Sequence, residues 1–326
     1  MKVLLVGAGA MAQAYGRVLN ALGVAWQCVG RGAASAGAFE QSCGVRPIEG
    51  GLANFIAQRP LPAKTHAIVA LPPTELTKAA CALVSAGAHR ILVEKPGGVD
   101  VAEIEGAASV VGRTDTEVYV AYNRRFYAAV AAARAMIAED GGATSFHFEF
   151  TERDSAARLA RYTREVLQNW ILANSSHVLD LAFHLGGQPQ AAWGMTAGEL
   201  SWHPTGAVFA GHGRTEAGAL FSWLADWSSA GRWGVDVRTR CRRLLLQPLE
   251  ELRMQQKDGF DAPQVPINDR LDREFKPGIY RQVEAFLSAD PSGQGLPTLG
   301  EQAVQARRWA SAIWGAGLKP ALEKVS

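Results

Sequence analysis

A short apolar run, Lys2-Val3-Leu4-Leu5-Val6, leads directly into Gly7-Ala8-Gly9-Ala10-Met11-Ala12, and Met11 to Leu22 then reads as a helix. A buried strand that turns through glycines into a helix constrains everything downstream. The strand needs neighbours on both sides. The turn directs the first N–H groups of the helix, and the positive end of its dipole, at one spot. Gly7 suits the tight turn, Gly9 lets the backbone approach a pyrophosphate, and Ala12 is small enough for helix and strand to pack closely. The pattern reads as a dinucleotide-binding turn with Gly7, Gly9, Ala10 and Met11 at the phosphates. A plain strand-to-helix turn is the alternative reading.

The following segments repeat the alternation. Strands are expected at Val24 to Val29, His66 to Ala70, Arg90 to Val93 and Val118 to Ala121. Helices are expected near Leu52 to Gln58, at Glu75 to Ala86 before Gly87, and at Val101 to Val111. Leu71-Pro72-Pro73 is read as stopping both strand and helix. This order predicts a parallel sheet with helices on both faces, and ligands beyond the carboxyl ends of its strands. His66 and His89 flank strands and read as structural.

Two strand ends carry chemistry. The second strand ends at Gly30-Arg31-Gly32, where an NAD-specific domain places Asp or Glu for the ribose 2′-OH. Arg31, with Ser35 nearby, suits a 2′-phosphate instead, which favours NADP over NAD. A solvated loop arginine is the alternative. The fourth strand ends at Glu94-Lys95-Pro96-Gly97. A lysine there faces the crevice, and burial or an oxidised nicotinamide lowers its pKa, so that it can exchange a proton with a hydroxyl. The proline fixes the backbone beside it, a cis bond being one way. The tripeptide alone fits a surface loop lysine better.

Composition narrows the partners. At 326 residues the chain is long enough for two domains, and its formal charge of +2 gives no case for nucleic acid or a membrane surface. The four cysteines show no pair or metal spacing, as expected of reduced thiols in a cytoplasmic protein. No apolar stretch has the length of a membrane span.

The second half changes character. Phe126 to Ala138 reads as a helix, and Ser145 to Phe150 alternates like a strand. Phe221 to Trp227 and Trp233 to Val237 alternate on either side of Ser228 to Arg232, which predicts a hairpin with one apolar, aromatic face. That face fits an oligomer contact or an internal core. Asn174 to Gly187 reads as a helix ended by glycine. At ~100° per residue, Asn174, His177, Asp180 and His184 form one stripe. A metal site is awkward for four ligands on one helix, which leaves a hydrogen-bonded packed helix or a catalytic face. Arg153, Arg158, Arg161 and Arg164 fit either an anionic substrate or a solvated loop, and Tyr162 and Trp170 are candidates to stack on a sugar. Ile279 to Ser288 and Gly300 to Trp314 read as closing helices.

Together, Gly7-x-Gly9-x-x-Ala12-x-x-Tyr15, Leu71-Pro72, Glu94-Lys95-Pro96 and Tyr122-Asn123-Arg124-Arg125-Phe126 resemble the Gfo/Idh/MocA family of NAD(P)-dependent sugar and cyclitol oxidoreductases, over nearly the whole chain. The resemblance implies an α/β protein: a Rossmann doubly wound parallel sheet over 1–122, then an α+β domain over 123–326. The second domain has an open, largely antiparallel sheet, binds substrate and supports a homodimer or higher homo-oligomer. The resemblance also implies hydride transfer between a nicotinamide and a carbohydrate-type substrate (a sugar, sugar nucleotide or cyclitol), without a metal. Arg31, Leu71, Pro72, Glu94 and Lys95 join the glycine turn around the cofactor. Lys95 and His177 are the catalytic acid–base pair, and Asn123, Arg124, Asn174 and Asp180 hold substrate. His177 and Asp180 match the family's His and second Asp. The first Asp falls on Ala173 and is missing, with Asn174 as the nearest polar group. His184 is read as structural. Reduction of a tetrapyrrole or an imine on the same frame, or a non-enzymatic nucleotide-binding role, remains open.

Overall fold

The computed structural model describes residues 2–153 and 155–314. The chain divides into two units. In the first, strands β1 (Val3–Val6), β2 (Trp26–Val29), β3 (His66–Val69), β4 (Arg90–Glu94) and β5 (Glu117–Ala121) form a parallel sheet in the order β2-β1-β3-β4-β5. Helices α1 (Ala10–Ala21), α2 (Ala33–Cys43), α3 (Gly51–Gln58), α4 (Pro73–Ser85) and α5 (Val101–Val111) connect them. Strand order reverses beside β1, so the crevice that such sheets use for ligands opens where the glycine turn leaves it.

Local chemistry explains most of these bounds. β1 and β3 are buried along their whole length, as strands covered on both faces must be. Asp100 caps α5 by accepting from the backbone N–H of Glu103 at 2.8 Å. Pro73 is the first residue of α4, where a missing N–H costs nothing, so the Pro-Pro pair opens this helix instead of barring it. The helix α2 was not foreseen. Its sequence, Ala-Ala-Ser-Ala-Gly-Ala-Phe-Glu-Gln-Ser-Cys, buries only Ala36, Phe39 and Cys43 and has little helical contrast.

The second unit holds α6 (Ala128–Glu139), β6 (Ser145–Phe150), the short helices α7 (Ala156–Leu159) and α8 (Arg164–Gln168), a π-wound turn at Ile171–Ser175, and α9 (Ser176–Gly186). Strands β7 (Pro189–Ala197), β8 (Val208–Thr215), β9 (Leu220–Asp226), β10 (Trp233–Arg238), β11 (Arg242–Leu246) and β12 (Arg253–Gln256) follow. The sheet runs β12-β11-β10-β6-β9-β8-β7, antiparallel except between β6 and β9.

Two expectations are corrected here. β9 and β10 do not form a hairpin, because β6 lies between them and pairs with both. Period-two alternation identifies strands but not partners. The loop 227–232 crosses the end of β6 and is held there: Trp227 Nε1 donates to the Phe150 carbonyl at 3.1 Å, and the Arg232 N–H donates to Glu149 Oε1 at 3.1 Å. Nor is the second domain continuous over 123–326. After α10 (Arg270–Glu274), helix α11 (Ile279–Leu287) adds Ile279, Val283 and Phe286 to the first unit's core beside Val3, Leu5 and Leu92. The first unit is thus Met1–Phe126 with Asp269–Val304, and the boundary falls inside α12 (Leu299–Trp309).

The aromatic face predicted for β9 is internal core. Phe146 stacks on Phe221 at 5.2 Å between centroids, Phe148 stacks on Trp223 at 6.0 Å, and Phe183 of α9 meets Phe146 edge-on. On the opposite face Trp193, Met195, Leu220 and Leu224 are exposed. Glycines make room for the rings: a Cβ at Gly211 would run into Trp223, and one at Gly213 into Phe221. No helix among the described residues is long and apolar enough to cross a membrane.

Gly186 closes α9 against β6, where a Cβ would run into the Phe146 ring. Gly186→Ala is therefore expected to lower stability by about 1–3 kcal/mol through overpacking, measured by urea unfolding.

Candidate functional site

In the first unit a cavity of about 530 Å³ opens beyond the carboxyl ends of β1, β2 and β3. Gly7, Ala8 and Gly9 form one wall, Gly30, Arg31 and Ser35 another, and Leu71 and Pro72 a third. Gly7 has φ +113°, and a Cβ there would run into the Ala70 carbonyl. Only glycine meets both demands. At Gly9 a Cβ would meet nothing within 4 Å, because the position faces open space. Gly9 is the N-cap of α1 and supplies no side-chain cap, so the first N–H groups of the helix keep their capacity to bind an anion. Arg31 is exposed, and its loop is tied down by the Gly50 N–H donating to the Arg31 carbonyl at 3.3 Å. These features fit a nicotinamide dinucleotide: a bare cradle for the pyrophosphate, with a cation and a hydroxyl at the far wall.

Of the residues assigned to the cofactor, Gly7, Gly9, Arg31, Leu71 and Pro72 line this cavity; Ala10, Met11, Glu94 and Lys95 do not. Ala10 is exposed at the start of α1, and Met11 packs against the hydrophobic core. The cavity also takes Gly50, Gly51, Glu75 and Lys78, which the sequence reading passed over. For the last two a signal existed: Glu75, Lys78, Ala79 and Ala82 sit at the one-face spacing of a helix that begins at Pro73.

Glu94 turns inward instead. It is buried and accepts from the Tyr15 hydroxyl at 2.7 Å. Gln282 lies 3.2 Å from the same hydroxyl. Tyr15 spends its one proton on Glu94, so the Gln282 amide nitrogen donates to Tyr15, and its oxygen accepts from the backbone N–H of Asn123 at 3.0 Å and of Tyr122 at 3.3 Å. Burial raises the Glu94 carboxyl above its ordinary pKa, against the Tyr15 bond and the Lys95 charge. Burial likewise pushes the Tyr15 phenol up, and the neighbouring carboxylate adds to it.

Lys95 stands on the turn after β4. The Lys95–Pro96 peptide is cis, the Gly97 N–H donates to the Glu94 carbonyl at 3.0 Å, and Gly97 has φ +95°. Gln302, fully buried, donates to the Pro96 carbonyl at 3.1 Å and contacts the Tyr122 hydroxyl at 2.9 Å. The lysine is half-buried on a turn fixed at both ends. Asn123 is buried and gives its amide N–H to the Pro277 carbonyl at 2.9 Å, while Arg124 is half-buried.

In the second unit His177, Asp180 and His184 lie on α9, and the π-wound turn Ile171–Ser175 carries Asn174. Its side chain, with that of Ser175, goes to Glu152, a buried carboxylate the sequence reading missed. His177 and Asp180 are buried, and the His177 ring lies 6.2 Å from Trp233. Trp170 is not open to a sugar: it is 1% exposed and covered by Tyr162, Trp202 and Arg158. His66 is buried between His89 and Phe286, as a structural histidine is, and burial lowers its pKa. Among the described residues no group of three or more His, Cys, Asp or Glu side chains could hold a metal ion.

Solved structures of nicotinamide enzymes match this architecture end to end. An oxidoreductase from Agrobacterium radiobacter in complex with NAD+, L-tartaric acid and magnesium matches with a TM-score of 0.78 at 14% identity, over 96% of this chain and 95% of that one. The chain has the fold of the Gfo/Idh/MocA oxidoreductases. Levoglucosan dehydrogenase in complex with NADH matches at TM-score 0.74 and 19% identity, over 94% of both chains. UDP-N-acetylglucosamine 3-dehydrogenase GnnA from Acidithiobacillus ferrooxidans matches at TM-score 0.72 and 15% identity, over 95% of both. No family model and no curated protein matches the chain by sequence.

Burial of Glu94 sets a pH dependence that the Tyr15 bond opposes. The folded pKa of Glu94 lies above its unfolded value, so the stability this implies is present below the unfolded value and is lost as pH rises through the folded one. Tyr15→Phe removes a donor that favours the carboxylate and raises that pKa further. The variant is expected to lose more stability relative to the parent at pH 8 than at pH 5, read from paired urea curves.

Proposed function

We propose that the protein is a nicotinamide-dependent dehydrogenase that transfers hydride to or from a carbohydrate-type substrate, with NADP favoured over NAD. The observation that carries the reading is the cavity, where the uncapped start of α1 at Gly9 and the Arg31–Ser35 wall border one space. The sugar and sugar-nucleotide dehydrogenases that share the fold support the substrate class.

The bound nicotinamide supplies the hydride donor or acceptor. The chain supplies the rest. Gly9 and the first turn of α1 bring backbone N–H groups to the pyrophosphate, Gly7 makes the turn that lets them do so with its own N–H on the Val29 carbonyl, and Arg31 with Ser35 holds a 2′-phosphate, with Lys78 adding charge to the same cavity. Leu71 and Pro72 shape its apolar wall. Lys95 holds or returns the proton of the reacting oxygen, and His177 hydrogen-bonds that oxygen or relays its proton. Ala173 offers no carboxylate, so the proton work falls to Lys95 and His177. Arg124, Asn174 and Asp180 orient the substrate, and Asn123 holds the segment that presents Arg124. The exposed Trp193, Met195, Leu220 and Leu224 support assembly of copies of this chain through the open sheet face.

Titration with NADPH and NADH, followed by nicotinamide fluorescence, tests the cofactor reading. NADPH is expected to bind more tightly, and Arg31→Ala to remove that preference while leaving NADH binding nearly unchanged. A preference for NADH in the parent protein would overturn it.

With a turnover assay in hand, Lys95→Ala is expected to lower kcat by about 10²–10⁴-fold, the worth of a general acid or base. His177→Ala should lower kcat in the same direction. Turnover close to the parent's in Lys95→Ala would remove that residue from the mechanism.

A further inference from the structure

Where β10 turns into β11, the second unit has a cavity of about 290 Å³ lined by Arg238, Arg242, Arg243 and Lys257, with Thr239, Gln255 and Gln256. No carboxylate and no apolar side chain is among the residues that line it. The pairing of β10 with β11 sets Arg238 directly opposite Arg243. Like charges opposite each other across a ladder repel. An anion in the cavity would relieve that repulsion.

Carboxylates stand behind these cations and neutralise only part of their charge. Asp236 accepts from Arg243 Nη2 at 2.7 Å, from Arg243 Nε at 3.1 Å and from Arg238 Nη2 at 3.1 Å. Asp140 accepts from Arg242 Nη2 at 2.7 Å. Glu139 meets the same nitrogen at 2.9 Å, but its side chain is 69% exposed and solvent screens it. Asp236 and Asp140 thus offset two of the four cations, and two positive charges are left to the cavity. Asp236 takes only part of each guanidinium fork, so Arg238 keeps Nε and Nη1, and Arg243 keeps Nη1, for another acceptor. Lys257 is exposed and makes no ion pair among the described residues. The Gln256 amide donates to the Met254 sulfur at 3.7 Å, a weak acceptor. The frame itself is tied. The Lys257 N–H donates to the Cys241 carbonyl at 2.9 Å, and the Thr239 hydroxyl donates to Asp140 Oδ2 at 2.6 Å. A frame held in advance leaves only side chains to order on binding.

We propose that this cavity is an anion site of the second unit, in which Arg238, Arg243 and Lys257 hold a dianionic phosphate group, free or as a monoester. Such a group matches both the two uncompensated charges and the donors, because guanidinium forks pair with phosphate oxygens and an ammonium adds a point charge. The site is built wholly from the second unit, whereas the dinucleotide cavity is lined by the first. It does not depend on the dehydrogenase reading.

The test is calorimetric titration of the full chain with inorganic phosphate, glycerol 3-phosphate and acetate, at one ionic strength and about pH 8, where phosphate is doubly ionised. Phosphate or its ester is expected to bind about tenfold or more tightly than acetate. The tighter of the two names the source, free ion or monoester, and equal affinity assigns recognition to the phosphate group alone. Lys257→Ala and Arg243→Ala are each expected to weaken binding about tenfold. Lys257 is exposed and unpaired, so its variant keeps the test clear of folding. Arg31→Ala, in the dinucleotide cavity, is expected to leave phosphate binding unchanged. Phosphate affinity no better than that for acetate, or binding that survives Lys257→Ala or Arg243→Ala, overturns the proposal. Binding that Arg31→Ala abolishes overturns it too, because the anion then sits in the dinucleotide cavity.

Discussion

The close approach of β1 and β3 at Gly7 is the constraint on which the first unit depends. The left-handed backbone at Gly7 lets the chain leave β1 against the Ala70 carbonyl, where no side chain fits. That turn aims α1 across the sheet and leaves its N-terminus without a side-chain cap. The cavity follows from it. Its walls come from the ends of neighbouring strands, and its charge from a helix dipole and the side chains of Arg31, Glu75 and Lys78. A residue with a Cβ at position 7 would disturb the sheet before it disturbed any ligand.

A second constraint is the buried carboxyl of Glu94. A carboxyl inside a protein needs donors, and it finds one in the first helix. Gln282 then links Tyr15 to the backbone that follows β5. One hydrogen-bonded chain therefore ties α1, the end of β4, the segment after β5 and α11. Lys95, next to Glu94, stands on a turn that this chain of bonds holds at its start.

The sheet of the first unit was legible because parallel strands are buried on both sides and their residues say so: Val-Leu-Leu-Val at β1 and Ile-Leu-Val within β4. The glycine turn was legible because its demand is local. What escaped depended on distant partners. Ala33–Cys43 has little hydrophobic contrast, and α11 joins a core that begins more than two hundred residues earlier. The order β10-β6-β9 depends on how β6 is shared, which alternation along β9 and β10 does not encode. Lys95 and His177 were singled out by motif, while the buried carboxylate Glu152 was passed over. It was within reach: Phe146, Phe148 and Phe150 alternate inward along β6, and Glu152 continues their parity. The π-wound turn before α9 was not within reach, because no residue of Ile171–Ser175 announces a wider turn.

The first unit is assembled from two separated stretches of chain, with most of the second unit encoded between them. The consequence concerns the order of synthesis. When the ribosome has made residue 126, Arg90 still lacks the Phe286 and Ser288 carbonyls it will donate to, Tyr15 lacks Gln282, and His66 lacks the Phe286 ring. The first part of the first unit therefore leaves the exit tunnel early but finishes late, with one flank unsealed while the inserted unit is completed. A nascent chain in that state presents Ile68, Leu92 and their neighbours to whatever it meets. Sealing of that flank waits until the residues of α11 have been made.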